Sequence, residues 1–399
     1  MKATKYLISL ALVGLFPFGS FAQEEEKKEV KVVPTINPHG RIQYDFDFLN
    51  RKDGVSPGKD YSFNGQEFRR VFMSSDGEIY RNIKYKVEVE LAGGNIAYRS
   101  MYIKFASLPT VGGDLYLGSV PEATSYDMET SSKYNPFVER SMLTNTQPFR
   151  WNSGVHYKNF GLLKGKLGVQ ASYAFNGNHK GGFKDSNLEN GSHFVARLTS
   201  PIYQNKSKNQ LIHLGVNYEN RQRTESPELY KLKFRPENHM GKKVTVAFDS
   251  LSRQEDLGLE FVSHIGAFSF FAEYELGNYK TVSKDYQVNG YYGAVSYFIF
   301  GGRSAYKKGA GTRVKPYSNF CIKEKTFGAL ELVARYSVLD YSNVVTTGTN
   351  DKVNNVTAGF NWYLNSNTRL MYNFVLTDYN DSSNKNKMYA NLMRIQVDF

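Results

Sequence analysis

The sequence predicts an all-β fold: a transmembrane antiparallel β-barrel of about 16 strands. Three observations predict it. Segments of about ten residues alternate polar with apolar side chains along much of the chain, the period of a strand that shows a different face to each side. The polar faces are rich in charge and the apolar faces in Tyr and Phe, of which the 399 residues hold 29 and 28; a membrane barrel needs aromatic girdles of this kind. No segment beyond the N-terminus approaches ~18 consecutive apolar residues. A bilayer admits only helices and closed barrels, so strands must do the crossing.

The N-terminus predicts export. Lys2 and Lys5 open a basic region, Leu7 to Phe18 is mostly apolar, and Ser20-Phe21-Ala22 is a small-x-small cleavage site. Residues 1–22 therefore read as a secretory signal, with Gln23 beginning the mature chain and no Cys following it to carry lipid. Residues 23–38 hold the mixed-charge run Glu24–Lys31 and read as a solvated periplasmic leader. The barrel is expected over residues 39–399.

The alternation then repeats. Ile42, Tyr44, Phe46 and Phe48 oppose Arg41, Gln43, Asp45 and Asp47. Tyr85, Val87, Val89 and Leu91 oppose Lys84, Lys86, Glu88 and Glu90. Lys166–Phe175 and Leu330–Ser337 repeat the pattern, the latter setting Arg335 among its polar positions. At the end, Met393, Ile395, Val397 and Phe399 oppose Arg394, Gln396 and Asp398. Phe68–Ser75 fits less well, because neighbouring Arg69 and Arg70 fall on opposite faces. A soluble sandwich also alternates; the charge of the polar faces and the aromatic apolar faces favour the membrane.

Composition removes other classes. The chain has 1 Cys, which excludes a disulfide framework and a cysteine zinc site. Its aromatic content excludes disorder. The net charge of +12 is dispersed rather than gathered in one stretch, and with an export signal it does not indicate nucleic-acid binding. Gly241-Lys242-Lys243 lacks the glycine of a phosphate loop, Pro236 standing in its place. The run Gly301–Gly311 reads as a surface turn. The 7 His show no i, i+2 or i, i+4 pairing, so no metal or cofactor is expected. No nucleophile and base constellation can be assembled, so no catalytic residue is named and no enzyme is expected.

Several stretches, in order, resemble the phosphate-selective porin O and P family. They run from Gly40-Arg41-Ile42-Gln43 and Phe68-Arg69-Arg70 through Tyr85–Gly93, Tyr102-Ile103-Lys104-Phe105 and Phe137-Val138-Glu139-Arg140. Gly290–Phe300, Val314-Lys315-Pro316, Gly328–Ser337, Asn361-Trp362-Tyr363-Leu364 and Arg394–Phe399 complete the series. The resemblance implies a sixteen-stranded outer-membrane barrel, a homotrimer in lipid, that passes phosphate or other small anions by passive diffusion. It also implies a third loop folded into the lumen. Two departures weaken a carry-over of phosphate specificity: Gly118 is followed by Ser119-Val120-Pro121-Glu122, without the family's lysine, and Gly301-Gly302 precede Arg303.

The residues themselves suggest how such a pore would discriminate. Val120 to Arg150 is too long for a hairpin turn and is the expected constriction. Its candidate residues are Lys133, Glu139, Arg140 and Arg150, with Glu139 expected to pair with Arg140 or a wall arginine and hold the loop. Arg41, Arg70, Lys84, Lys86, Lys104, Arg197, Arg335 and Arg394 are the candidate anion-steering residues of the wall, interspersed with acidic ones. A mixed wall also suits a general, weakly selective diffusion pore. A secreted β-rich binding protein and a plugged structural barrel complete the alternatives.

Overall fold

The computed structural model describes residues 33–53, 61–94, 96–146, 151–175, 191–223, 229–241, 243–342, 344, 349–381 and 384–399. The expected signal segment and Arg150 lie outside the described residues. The strands begin with β1 (Asn37–Asp53), β2 (Tyr61–Tyr80), β3 (Ile83–Glu90), β4 (Ala97–Phe105), β5 (Asp114–Pro121), β6 (Trp151–Gly161), β7 (Leu167–Phe175) and β8 (Ser192–Asn205). They continue with β9 (Gln210–Gln222), β10 (Tyr230–Phe234), β11 (Val244–Phe248), β12 (Leu251–Ile265), β13 (Phe268–Thr281) and β14 (Asp285–Phe300). The last are β15 (Tyr306–Lys307), β16 (Ala310–Gly311), β17 (Ala329–Asp340), β18 (Thr349–Tyr363), β19 (Thr368–Asp381) and β20 (Asn384–Asp398).

Sixteen of these strands close one antiparallel barrel: β1 to β9, β12 to β14 and β17 to β20, with β20 pairing back onto β1. Arg41 stands opposite Asp398, so both ends of the barrel chain meet at one rim. The tight turns at Arg81–Asn82, Lys206–Asn209 and Gly266–Ala267 lie at that same rim, which identifies it as periplasmic. Gly266 makes one of them with φ of 63°, a left-handed conformation that costs glycine nothing.

The barrel is polar inside and apolar outside. Along β1, Gln43, Asp45 and Asp47 are at most 1% exposed, while Ile42 and Phe48 are 40% and 43% exposed. The same inversion runs along β17, where Glu331, Arg335 and Ser337 are buried and Leu332 and Tyr336 exposed. A soluble sandwich would bury the apolar face, so the alternation reads in the membrane sense. Closure leaves no unpaired edge for lipid to desolvate.

Among the register irregularities of the described strands, those on β2 and β4 bear on the lumen. Gln43 pairs with Arg70 and Tyr44 with Phe68, which leaves Arg69 as an extra residue on β2. Val87 pairs with Met101 and Val89 with Tyr98, which sets Arg99 and Ser100 of β4 against Glu88 alone. A bulge re-aims side chains. Both arginines of the pair 69–70 thereby reach the lumen, which resolves the doubtful register of Phe68–Ser75.

Three inserts among the described residues pack against the inner wall. The segment between β5 and β6 is bonded to inward-facing wall residues: Val138 N donates to Asn373 Oδ1 (2.8 Å), Asn361 Nδ2 to Pro136 O (2.8 Å) and Arg369 Nη1 to Asn135 O (2.8 Å). The hairpin of β10 and β11 alternates as well. Tyr230, Leu232 and Phe234 pack with Phe248, Tyr279, Tyr286 and Leu339, and Lys231 and Lys233 take the other face. The third insert corrects the reading of Gly301–Gly311 as a surface turn. The small β15–β16 hairpin enters from the periplasmic rim, where Gly309 O accepts from Arg197 Nη2 (2.7 Å) and Gly311 N donates to Thr130 Oγ1 (2.9 Å). Glycines suit it because the backbone itself must approach the wall closely.

Candidate pore and constriction

The constricting segment is held first by its own bonds. Ser125 Oγ accepts from Met128 N (3.0 Å) and starts the helical turn Tyr126–Glu129. Asp127 then accepts from Asn135 Nδ2 (2.5 Å), Ser141 N (3.0 Å) and Thr144 Oγ1 (2.8 Å). Arg140 donates to the carbonyls of Asp127 (2.9 Å), Met128 (3.3 Å) and Thr130 (2.5 Å). Arg140 thus shapes the loop from within, and its partners are carbonyls rather than Glu139.

Glu139 ties the loop to the wall. Its carboxylate accepts from Arg69 Nε (2.8 Å), Arg69 Nη2 (3.0 Å) and Arg394 Nη2 (2.9 Å). Arg394 also forms a two-pronged pair with Asp45, at 2.6 Å on each arm. Burial would raise the Glu139 carboxyl, but Arg69, Arg70 and Arg394 outweigh it and hold the group well below the usual carboxylate range.

The other expected residues separate into three places. Arg197 is bound to Glu260 by two bonds of 2.7 Å and Arg335 to Glu237 at 2.6 Å, all four side chains almost wholly buried. Lys84 pairs with Glu78 (3.1 Å) and Lys104 with Asp114 (3.4 Å) beside periplasmic turns. Arg41, Lys86 and Lys133 gather on the periplasmic side of the loop with Arg313. Arg41 Nη1 donates to Ser132 Oγ (2.5 Å), Lys86 lies 3.0 Å from Glu88, and Lys133 lies 3.9 Å from Asp398. Burial first, then Arg41, Arg313 and Lys86, push the Lys133 ammonium below its ordinary value, against the pull of Asp398.

A marked excess of positive charge lies on the outer side. A cavity of about 270 Å³ is lined by Arg69, Arg70, Arg99, Lys233, Arg235 and Lys243 against Glu90 and Glu139. Arg70 Nη1 donates to Gln43 Oε1 (2.9 Å), and Gln43 Nε2 reaches Ser132 O (3.1 Å), so Gln43 links this cavity to the Arg41 group below. Burial first, then Arg235 and Lys233, lower the Lys243 ammonium. Sequence reasoning named Arg70 and Glu139 here, with Glu90 as a carboxylate of the polar face. Arg99 arrives through a bulge, and Arg235 and Lys243 through the insert hairpin. Only Lys233 left a local signal, the short alternation Tyr230–Phe234.

Comparison with known proteins places the chain. Porin O of Pseudomonas aeruginosa is 25% identical over 385 residues, covering 87% of this chain and 84% of that protein. An anion-selective porin from Comamonas acidovorans matches with a TM-score of 0.56 at 13% identity, over 92% of this chain and 100% of that one. The outer membrane channel DcaP of Acinetobacter baumannii gives 0.57 at 11% identity, over 92% and 97%. At these identities the two structures establish a shared barrel fold. The model of the family described as phosphate-selective porin O and P matches residues 36–399, from the start of β1 to the last residue, and the chain belongs to that family.

Proposed function

We propose that this chain is an outer-membrane channel through which small anions, phosphate among them, diffuse passively into the periplasm. The observation that carries it is the outer cavity, with six cationic side chains against two carboxylates. Low-dielectric walls focus such a field, and screening within ~8 Å at physiological salt confines it to groups beside the path. The guanidinium fork accepts two oxygens of a phosphate or carboxylate at once, while lysine acts as a point charge. Arg41, Lys86, Lys133 and Arg313 offer a second basic station below the loop. Arg197, Arg335 and Arg394 serve this reading as fixed struts, since each is almost wholly buried as well as engaged by a carboxylate.

The test is conductance of the mature protein in planar bilayers. Under a potassium chloride gradient the reversal potential should show anion preference. Replacing Arg235 and Lys243 together by Gln should move it towards zero, and Lys84→Gln should not. Block of chloride current by low phosphate indicates a dedicated site. Unchanged current and a reversal potential near zero would assign a general diffusion pore instead.

A further inference from the structure

Glu122, the first residue after β5, meets the wall in a cluster that the pore does not use. Glu122 Oε1 lies 2.6 Å from His193 Nδ1 on β8, and Glu122 Oε2 lies 3.2 Å from Arg221 Nη2 on β9. Glu219, also on β9, has Oε1 3.7 Å from His193 Nε2. Glu122, His193 and Glu219 are each no more than 2% exposed. Donor atoms, one from each of these three residues, all lie within 4.8 Å of one another. Ligands at about 2.0–2.2 Å from one zinc ion fall within such a spread after small side-chain adjustments.

Unmet bonding capacity points to what belongs there. His193 Nε2 is buried and has no hydrogen-bond partner. Asp256 stands directly opposite Glu219 in the β9–β12 register, within hydrogen-bonding reach, so one proton shared between these two carboxyls serves both and His193 Nε2 is the atom left unmet. Buried polar atoms are almost always satisfied, and facing carboxylates require a proton or a cation between them. Arg221 answers part of the negative charge, reaching both Glu219 Oε1 and Glu122 Oε2.

From this cluster we infer a divalent transition-metal site of the zinc class, held by Glu122, His193 and Glu219. One imidazole nitrogen with carboxylate oxygens favours such an ion over magnesium or calcium, which prefer oxygen alone. The ion would join the root of the constricting segment to two wall strands and set where that segment leaves the wall. The residues are far apart in the chain, so no spacing motif announces them. The inference concerns metal binding and is independent of anion selectivity.

The experiment uses the mature full chain in detergent, stripped with chelator, loaded with zinc chloride and desalted. Mass spectrometry of the metal should find about one zinc per chain, with magnesium not retained. His193→Gln and Glu219→Gln should each weaken zinc binding by about tenfold or more in competition with a fluorescent indicator. His39→Gln, removing an exposed imidazole paired with Asp76 at the periplasmic rim, should leave it unchanged. Heat-dependent gel migration certifies that each variant has folded. For the unaltered protein, zinc-edge X-ray absorption should show one imidazole with oxygen neighbours, so the inference can be judged even if a variant misfolds. No retained zinc, retention lost only in His39→Gln, or a spectrum without imidazole overturns it and leaves a proton-held ion-pair cluster.

Discussion

Glu139 accepts from Arg69 on β2 and Arg394 on β20, so one carboxylate joins the constricting segment to two strands of the wall. Removing it leaves buried guanidinium groups facing one another. Glu139→Ala should therefore cost the docked loop about 3–5 kcal/mol, read as a rise in open-channel current noise while the barrel still migrates as folded. The pH dependence has a definite sign. A carboxyl whose folded value is depressed contributes stability above its unfolded value and loses it only as pH falls through the depressed one. Noise should stay flat from neutral pH down to the ordinary glutamate value of 4.5 and rise only in stronger acid. A rise already at that ordinary value would show that the three arginines do not hold the charge. Partners of this kind were not legible in the sequence. Arg394 could be assigned to the inner face by its period, but Asp45 is 349 positions away and no local pattern links them.

At the scale of elements, period-two reasoning succeeded where the strand is regular and stopped where it is bulged or inserted. β1, β3, β7, β17 and β20 face inward and outward as their alternation predicts, because lipid and water impose opposite demands on successive side chains. The bulges on β2 and β4 each add one residue and deliver Arg69 and Arg99 to the outer cavity. Insert hairpins look like loops in a sequence, since the wall they pack against is supplied by distant strands. The β2 bulge makes a test available. Deleting Arg69 leaves Phe68 opposite Tyr44 and Arg70 opposite Gln43, so the register on both sides survives. The deletion variant should fold, lose one cavity cation and the two bonds to Glu139, and show weaker anion preference with more current noise. A variant that fails to form a heat-modifiable barrel would mean that the bulge is needed for closure.

At the scale of the whole molecule, the wall is uneven in height. β3, β4 and β5 are 8, 9 and 8 residues long and adjacent, whereas β12 and β18 have 15 each. A tilted strand needs about 9–11 residues to cross the hydrocarbon, so the short sector stands at or below the required height while still presenting Val87, Ile103 and Leu117 outward. Apolar side chains on a wall too low for lipid are best covered by protein, and a homotrimer would place this sector at its centre. The contrast can be measured one position at a time. In a Cys321→Ser background, a fluorophore on Val87→Cys or Leu117→Cys should be shielded from nitroxide-labelled lipid, and one on Leu259→Cys or Val356→Cys should be quenched. Both outer pairs are substantially exposed in the single chain, so exposure alone predicts equal quenching. Equal quenching would therefore remove the short sector from the subunit contact, whereas protection confined to it would locate the contact on β3 to β5.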